Sequence, residues 1–181
     1  MTDPSVARLT GLVPPPGNPP AAPDWGRVEA ALGTPLPDDY KQLIEVYGGG
    51  VFDETVWVLA PGCEDEDYDL LAQTDERGKV LADLWASGEP RPAEIGGSGT
   101  RLIPWATVEE AGHYLYWLVR PGQEPSEWTV VLNEGRGPEW ESHPQSCGAF
   151  LAGLLTGEVR SFYFDEFPLP AHSFDANSDI L

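Results

Sequence analysis

The chain contains few positively charged residues. Ten Lys and Arg residues accompany 30 Asp and Glu residues among 181, which gives a formal net charge of −20 at pH 7. A surface with this balance repels nucleic acids and anionic membranes, and it attracts basic proteins at long range. The same charge is also compatible with a well-solvated surface that needs no partner. We therefore expect no nucleic-acid or membrane partner, and the sequence leaves a basic protein partner open.

Cysteines and long apolar runs are also scarce. The two cysteines, Cys63 and Cys147, lie far apart and form no CxxC motif, which is typical of a reduced protein with free thiols. No apolar run approaches the ~18 residues that a membrane-spanning helix needs. The first residues, MTDPSVARLTGLVPPP, lack the basic stretch and apolar core of a secretory signal. These features favour a cytoplasmic protein.

Motifs for catalysis, metal binding and phosphate binding are missing. The histidines His113, His143 and His172 lack the i, i+4 spacing of a zinc-binding helix, and no Walker sequence or helix-opening GxGxxG occurs. His143 and Cys147 are four residues apart, but Pro144 interrupts the spacing, and Cys147 is expected in the first turn of a helix. We therefore expect a non-catalytic protein that uses no cofactor.

The acidic peak CEDEDYDLLAQTDE includes part of a calcium-loop pattern. Asp65, Asp67 and Asp69 hold positions 1, 3 and 5 of such a loop, and Glu76 holds position 12. Position 6, however, is Leu70, where the sharp turn of a calcium loop requires glycine. We therefore predict no metal site in this segment.

Close-set acidic residues can instead stay solvated or meet the lysines and arginines of a partner. In the absence of any catalytic constellation, we predict that the acidic loop contacts a protein partner. The predicted contact residues are Glu64, Asp65, Glu66, Asp67 and Asp69.

Helix signals dominate the first 50 residues. Asp3-Pro4 and Asp24 are typical helix starts, and they predict helices over residues 4–13 and from Trp25 to Gly33. The proline-rich residues 14–23 predict a stiff connector between them. The segment LGTPLPDDYKQLIEVYGGG, residues 32–50, predicts a third helix, because one face is apolar and three glycines end it.

Strand patterns follow, and a helix closes the domain. ETVWVLAP, RLIPW, HYLYWLV, EWTVVLN and PEWESH are rich in β-branched and aromatic residues. Both alternating faces of HYLYWLV are apolar, so we expect a central strand with EWTVVLN as its antiparallel neighbour. Further helices are predicted around Val80 to Trp85 and from Ser146 to Gly157. The order predicts an α+β fold, with an antiparallel-rich sheet packed against helices.

We expect three regions in the chain. Residues 1–23 form the short helix and connector, residues 24–165 form a single domain, and residues 166–181 form an extended tail. Phe162, Phe164 and Phe167 are expected to pack on the domain, and the last few residues are expected to fray.

The order of the motifs resembles the SUKH superfamily over roughly residues 24–157. The most specific part is the pairing of Trp25, Leu32-Gly33 and Leu36-Pro37 with Asp39-Tyr40 and Tyr47-Gly48-Gly49-Gly50. It continues in order through VWVLAPG, LIPWA, YLYWLV, WTVVLN and FLAGLLTG. The superfamily joins bacterial toxin-immunity proteins with yeast cell-wall-synthesis regulators.

This resemblance implies an α+β binding scaffold, and for many bacterial members it implies neutralisation of a toxin. Toxins of this kind are often nucleases, whose basic surfaces would suit a partner with net charge −20. The alternative is a housekeeping scaffold or regulator that has no toxin partner. An enzyme would require a pocket in which His113 or His143 meets a carboxylate or Cys147.

Overall fold

The expected mixture of helices and strands is present in the computed structural model, which describes residues 1–108 and 110–181. Its helices are α1 (Pro4–Leu12), α2 (Trp25–Leu32), α3 (Asp38–Tyr47), α4 (Leu70–Ala86), α5 (Cys147–Thr156) and α6 (Asn177–Ile180). Its strands are β1 (Gly50–Phe52), β2 (Val56–Val58), β3 (Arg101–Val108), β4 (His113–Val119), β5 (Thr129–Asn133), β6 (Trp140–His143) and β7 (Phe174–Ala176). The predicted α+β fold class is confirmed.

Local sequence sets the ends of several helices. The side chains of Asp3, Asp24 and Ser146 accept backbone N–H groups at the starts of α1, α2 and α5. Gly33 ends α2 in the left-handed conformation, with φ of 75°. These three helices are confirmed with nearly the predicted bounds.

The sheet is centred on β4. The strands of the described residues form one sheet in the order β6-β5-β4-β3-β2-β1-β7, and neighbouring strands are antiparallel. Leu115 and Trp117 are buried on one face of β4, while Tyr116 and Leu118 are buried on the other. The predicted central strand and its pairing with β5, where Tyr116 lies opposite Val131, are confirmed.

Helices cover the two faces of the sheet unequally. The larger core lies on the face of Trp117, where α1, α3 and α5 pack together. A smaller cluster on the other face is covered by α4 and the segment after it, through Leu81 and Ile95. Helix α4 begins at Leu70, well before the predicted apolar residues around Val80, because Asp69 caps it there. Asp75 and Glu76 on its early turns face solvent and interrupt the apolar pattern.

A buried carboxylate joins α3 to α5. Asp39 is 5% exposed, and its Oδ2 accepts a hydrogen bond of 2.9 Å from the backbone N–H of Gly148. This places a negative charge at the positive end of the α5 dipole. A Cβ atom on Gly148 would overlap Ser5 Oγ and lie 3.1 Å from Asp39 Oδ2. The close approach of α1, α3 and α5 therefore requires a glycine at this position.

The aromatic residues of the quoted motif hold the scaffold together. Tyr40 donates its hydroxyl to the carbonyl of Leu59, and Tyr47 donates to the carbonyl of Val13 at 2.7 Å. Trp25 packs edge-on against Tyr40 and donates its indole N–H to Glu45 at 2.8 Å. These contacts agree with a scaffold role for the motif.

The segment 166–181 pairs with the first strand. In β7, Ala176 lies opposite Gly50 and Phe174 opposite Phe52. A Cβ atom on Gly50 would overlap the Asp175 carbonyl and the ring of Phe174. Gly50, one of the three glycines predicted to end α3, therefore also permits the close approach of β7. The division of the chain into three regions remains a prediction, although β7 joins the predicted tail to the sheet.

The predicted packing of three phenylalanines is confirmed in part. Phe164 and Phe167 are 4% and 7% exposed, but Phe162 is 61% exposed, so the prediction for Phe162 was wrong. Phe162 begins a short 3-10 helix, Phe162–Phe164, which turns its side chain outward.

The Asp39 contact predicts a specific loss of stability. In Asp39→Ala, the Gly148 N–H loses its acceptor in a buried site, so the free energy of unfolding should fall by about 1–3 kcal/mol. The matched control is Asp38→Ala, because the Asp38 side chain is 86% exposed and forms a surface ion pair with Lys41 at 3.4 Å. Urea unfolding should show a much smaller change for the control, and equal losses would contradict the role of Asp39.

Candidate protein-binding site

The acidic segment, defined as Glu64–Asp69, connects β2 to α4 and has a fixed backbone. Asp65 Oδ1 accepts the backbone N–H of Asp67 at 3.0 Å, which caps the 3-10 helix Glu66–Tyr68. Tyr68 is 6% exposed and its ring lies 4.3 Å from that of Trp57, centroid to centroid. The buried tyrosine anchors the middle of the segment to the sheet.

Asp69 fixes the end of the segment. Its two carboxylate oxygens accept the backbone N–H groups of Gly62 at 2.7 Å and Ala72 at 2.8 Å. The second bond caps α4, and the first closes the loop that contains the segment. Asp69 is half-buried and its carboxylate is engaged within the chain. Contact between Asp69 and a partner therefore stays a prediction, while its role in ordering the segment is visible.

The other four acidic side chains of the segment are exposed. Glu64, Asp65, Glu66 and Asp67 form no ion pair with any residue in the described ranges 1–108 and 110–181. A cluster of like charges held on a rigid turn creates a strong negative potential at short range. This arrangement is suited to receiving cationic side chains from another protein.

Two polar side chains on α4, Gln73 and Glu76, lie next to the acidic segment. The amide of Gln73, which is 3% exposed, donates to the Glu66 carbonyl at 3.2 Å and to Glu76 Oε2 at 3.1 Å. The amide therefore holds the Glu76 carboxylate close to the acidic segment. The sequence reasoning did not assign Gln73 or Glu76 to this surface. Their spacing of four and seven residues from the helix cap Asp69 is the signal that could have identified them.

Arg77 and Tyr114 lie beside these polar side chains of α4. The Arg77 guanidinium lies 4.2 Å from the Tyr114 ring centroid and donates to the Tyr116 hydroxyl at 3.0 Å. Burial raises the pKa of Tyr114, and the negative charges of Glu76 and Asp67 raise it further, against the opposing effect of Arg77. The charge of Asp67 therefore acts on the Tyr114 side chain of β4 as well as on the acidic segment.

Three of the four acidic side chains considered for calcium accept hydrogen bonds within the chain. Asp69 caps α4, Asp65 caps the 3-10 helix, and Glu76 accepts a hydrogen bond within α4. Among the residues that the structure describes, no group of three or more His, Cys, Asp or Glu side chains is arranged to hold a metal ion.

The two thiols lie in different environments. Both cysteines are free: Cys63 is half-buried and Cys147 is fully buried. Burial raises the pKa of the Cys147 thiol well above its ordinary value, and the nearby Asp39 carboxylate, 3.5 Å from the sulfur, raises it further. Because the thiolate is the nucleophile, this environment suppresses the reactivity of Cys147.

The three histidines have separate partners. His143 contacts Glu141 and the ring of Phe150, and the exposed fraction of its side chain is 11%. His113 packs on Tyr163, and burial lowers its pKa. His172 Nδ1 lies 2.8 Å from Asp53 Oδ2 at the edge of the sheet. His143 does meet a carboxylate, but the pair is largely buried, and the hydrogen-bond and ring partners of His143 are Glu141 and Phe150 rather than Cys147.

The fold and this surface define a class of protein, an α+β scaffold with a rigid acidic face. The model of the SMI1 / KNR4 family (SUKH-1) matches residues 19–152, which include the acidic segment and most of the helices and strands. The chain belongs to this family, and the resemblance inferred from the motifs is confirmed. No curated protein and no solved structure matches the chain.

Family membership supports a coarse functional assignment. SUKH proteins are generally non-catalytic, they interact with partner proteins, and they include immunity-type and regulatory members. No helix in residues 1–108 and 110–181 is long and apolar enough to cross a membrane.

The buried thiol gives a direct test of the environment around Cys147. In the native protein, a thiol reagent such as DTNB should modify Cys63 and leave Cys147 unmodified, because Cys147 is inaccessible and its pKa is raised. Both thiols should react after unfolding in guanidinium. A Cys63→Ser variant isolates the Cys147 signal, and rapid native modification of that variant would support a reactive thiol.

Proposed function

We propose that this protein is a non-catalytic immunity protein that binds and neutralises a basic toxin domain, of which a nuclease is the leading candidate. Three observations support the proposal: membership of the SMI1 / KNR4 family, a net charge of −20, and the exposed acidic segment. The proposal places the interaction in the cytoplasm, where a toxin would reach its target, and needs no cofactor.

The observation that carries the proposal is the pre-ordered acidic segment. Side chains that are fixed before binding lose less conformational entropy when a complex forms. The capping bonds of Asp65 and Asp69 hold the segment in one conformation. Within the described part of the chain, the four exposed carboxylates pair with no cation that they would have to release before binding one. These features favour a partner that supplies lysines and arginines.

The overall charge adds an advantage in the rate of association. Electrostatic steering can raise association rates to about 10⁸–10⁹ M⁻¹s⁻¹ at low salt. Fast capture matters for an immunity protein, because an uncaptured toxin acts on the cell that made it. In this mechanism the protein acts stoichiometrically, either by covering the toxin's active site or by holding the toxin in an inactive complex.

A housekeeping regulator is the second candidate, because the family is consistent with regulatory members as well. The two candidates are distinguished by the product of the neighbouring gene. Expression of that product alone should kill or arrest cells if it is the cognate toxin, and co-expression of this protein should restore growth and yield a co-purifying complex. Toxicity without rescue would reject that pairing. A harmless neighbour would direct the search to a housekeeping partner through pull-down from the native cell.

The acidic segment gives a mutational test of the interface. The triple variant Asp65→Asn, Glu66→Gln, Asp67→Asn removes three charges, and an asparagine side chain at position 65 can still cap the 3-10 helix. We expect affinity for the basic partner to fall by at least about tenfold at low salt, with the difference shrinking as salt increases. Calorimetric titration at two ionic strengths measures both effects.

The matched control removes three charges elsewhere. Asp83, Glu94 and Glu166 are exposed, so Asp83→Asn, Glu94→Gln, Glu166→Gln changes the net charge equally. The control should retain most of the affinity and lose only a small part of the association rate. Equal losses in both triple variants would indicate a general charge effect, and unchanged affinity in the first would remove the segment from the interface.

A further inference from the structure

A groove with a volume of about 580 Å³ lies between α4 and the C-terminal end of α2, with the start of β3 as its third wall. Its volume is within the range of small-molecule sites in proteins. Apolar side chains make up much of its wall: Leu32, Leu71, Leu81, Trp85 and Leu102. The groove is separate from the residues of the acidic segment.

The groove is long, and its apolar surface is recessed. It follows α4 from Leu71 to Trp85, a length of about 21 Å at 1.5 Å per residue. Leu32 and Leu81 are buried, while Leu71, Trp85 and Leu102 are half-buried. The half-buried side chains offer an apolar ligand a surface along the length of the groove.

The charge of the groove is opposite to that of the whole protein. Lys79, Arg91 and Arg101, three of the ten basic residues of the chain, line it. Asp75 also lines it and pairs with Lys79 at 2.6 Å. Arg91 and Arg101 form no ion pair with any acidic residue in the described ranges. In a chain with 30 acidic residues, the groove therefore keeps two guanidinium groups that have no counter-ion within residues 1–108 and 110–181.

Both arginines are held in position by contacts that leave donors free. Arg101 donates one Nη1–H to the carbonyl of Leu32 at 2.5 Å. Arg91 donates its Nε–H to the Ile95 carbonyl at 3.1 Å and stacks over Trp85, with 4.0 Å between guanidinium carbon and ring centroid. A guanidinium has five N–H donors, so both side chains can still bind an external anion.

Arg101 is exposed, but the walls of the groove partly desolvate its guanidinium. Burial lowers the pKa of Arg101, which reflects the cost of removing part of its charge from water. A carboxylate or phosphate from outside the chain would offset this cost through charge-assisted hydrogen bonds.

We propose that the groove binds an organic anion with an apolar body. The anionic head contacts Arg91 and Arg101, and the apolar body lies along Leu71, Trp85 and Leu102. This site is independent of the acidic segment and of the proposed toxin partner, so either proposal can fail without affecting the other.

Decanoate is a suitable probe, because it combines a carboxylate with a flexible apolar chain. It is titrated into the full ¹⁵N-labelled protein below its micelle-forming concentration, and chemical shifts are followed for backbone amides. We expect saturable shifts at Gly78, Thr100 and Leu102, which line the groove. Decyltrimethylammonium tests the charge and butyrate tests the apolar body; each should bind at least about tenfold more weakly at these amides.

Two variants test the site without disturbing the core. The double variant Arg91→Gln, Arg101→Gln should weaken decanoate binding by about tenfold or more, while the control Arg120→Gln, Arg136→Gln changes two exposed arginines outside the groove and should leave it unchanged. Gly78→Leu should block binding by filling the groove, because a Cβ atom at Gly78 meets nothing within 4 Å. Leucine also favours the helix more than glycine does, so folding should be retained.

The outcomes separate clearly. Saturable binding of decanoate that is lost in both the arginine and Gly78 variants supports the proposal. No saturable shift at the groove amides would overturn it. Equal binding of decanoate and decyltrimethylammonium would also overturn it, because binding would then not depend on the arginines. Unchanged binding in Gly78→Leu would overturn it too, because binding would then not depend on the groove.

Discussion

The central strand β4 is apolar on both faces, and the remaining architecture follows from this constraint. A strand of this kind must be covered on two sides, so a single layer of helices would leave either Trp117 or Tyr116 in water. The helices α1, α3 and α5 cover one face, and α4 covers the other. The long helix α4 is therefore required to bury the face of β4 that carries Tyr116, whatever its role in binding.

Both proposed sites border α4, so the helix that covers the second face of the sheet also positions these two surfaces. The helix begins at the cap Asp69, where the acidic segment ends, and its length forms one wall of the basic groove. Its exposed face separates a negative surface from a locally positive one. The scaffold thus presents two surfaces of opposite charge beside one helix, and the two proposals assign each surface a ligand of different chemistry.

Local sequence predicted the elements whose signals are local. Capping residues located α1, α2 and α5, and the doubly apolar pattern located β4. The start of α4 was missed because Asp75, Glu76 and Lys79 interrupt its apolar pattern. The strands β1 and β7 were missed because each has only three residues, too few to show an alternation of apolar and polar side chains. The Asp39–Gly148 contact and the groove join segments distant in the chain, so they could not be predicted from local patterns. The exposed acidic residues were predictable. The capping role of Asp69 was not, because it requires α4 to begin at Leu70, and this start was not predicted.

The strand order also bears on how the chain folds during synthesis. β1 to β6 are neighbours in chain order, so each strand can pair with the one made before it, although β3 must wait for α4 to be made before it can pair with β2. The free edge of β1 must wait for β7, the last strand in the sequence, before its backbone groups are paired. An unpaired edge is a site for aggregation, and a β1 of only three residues keeps that exposed edge short while the rest of the chain is made.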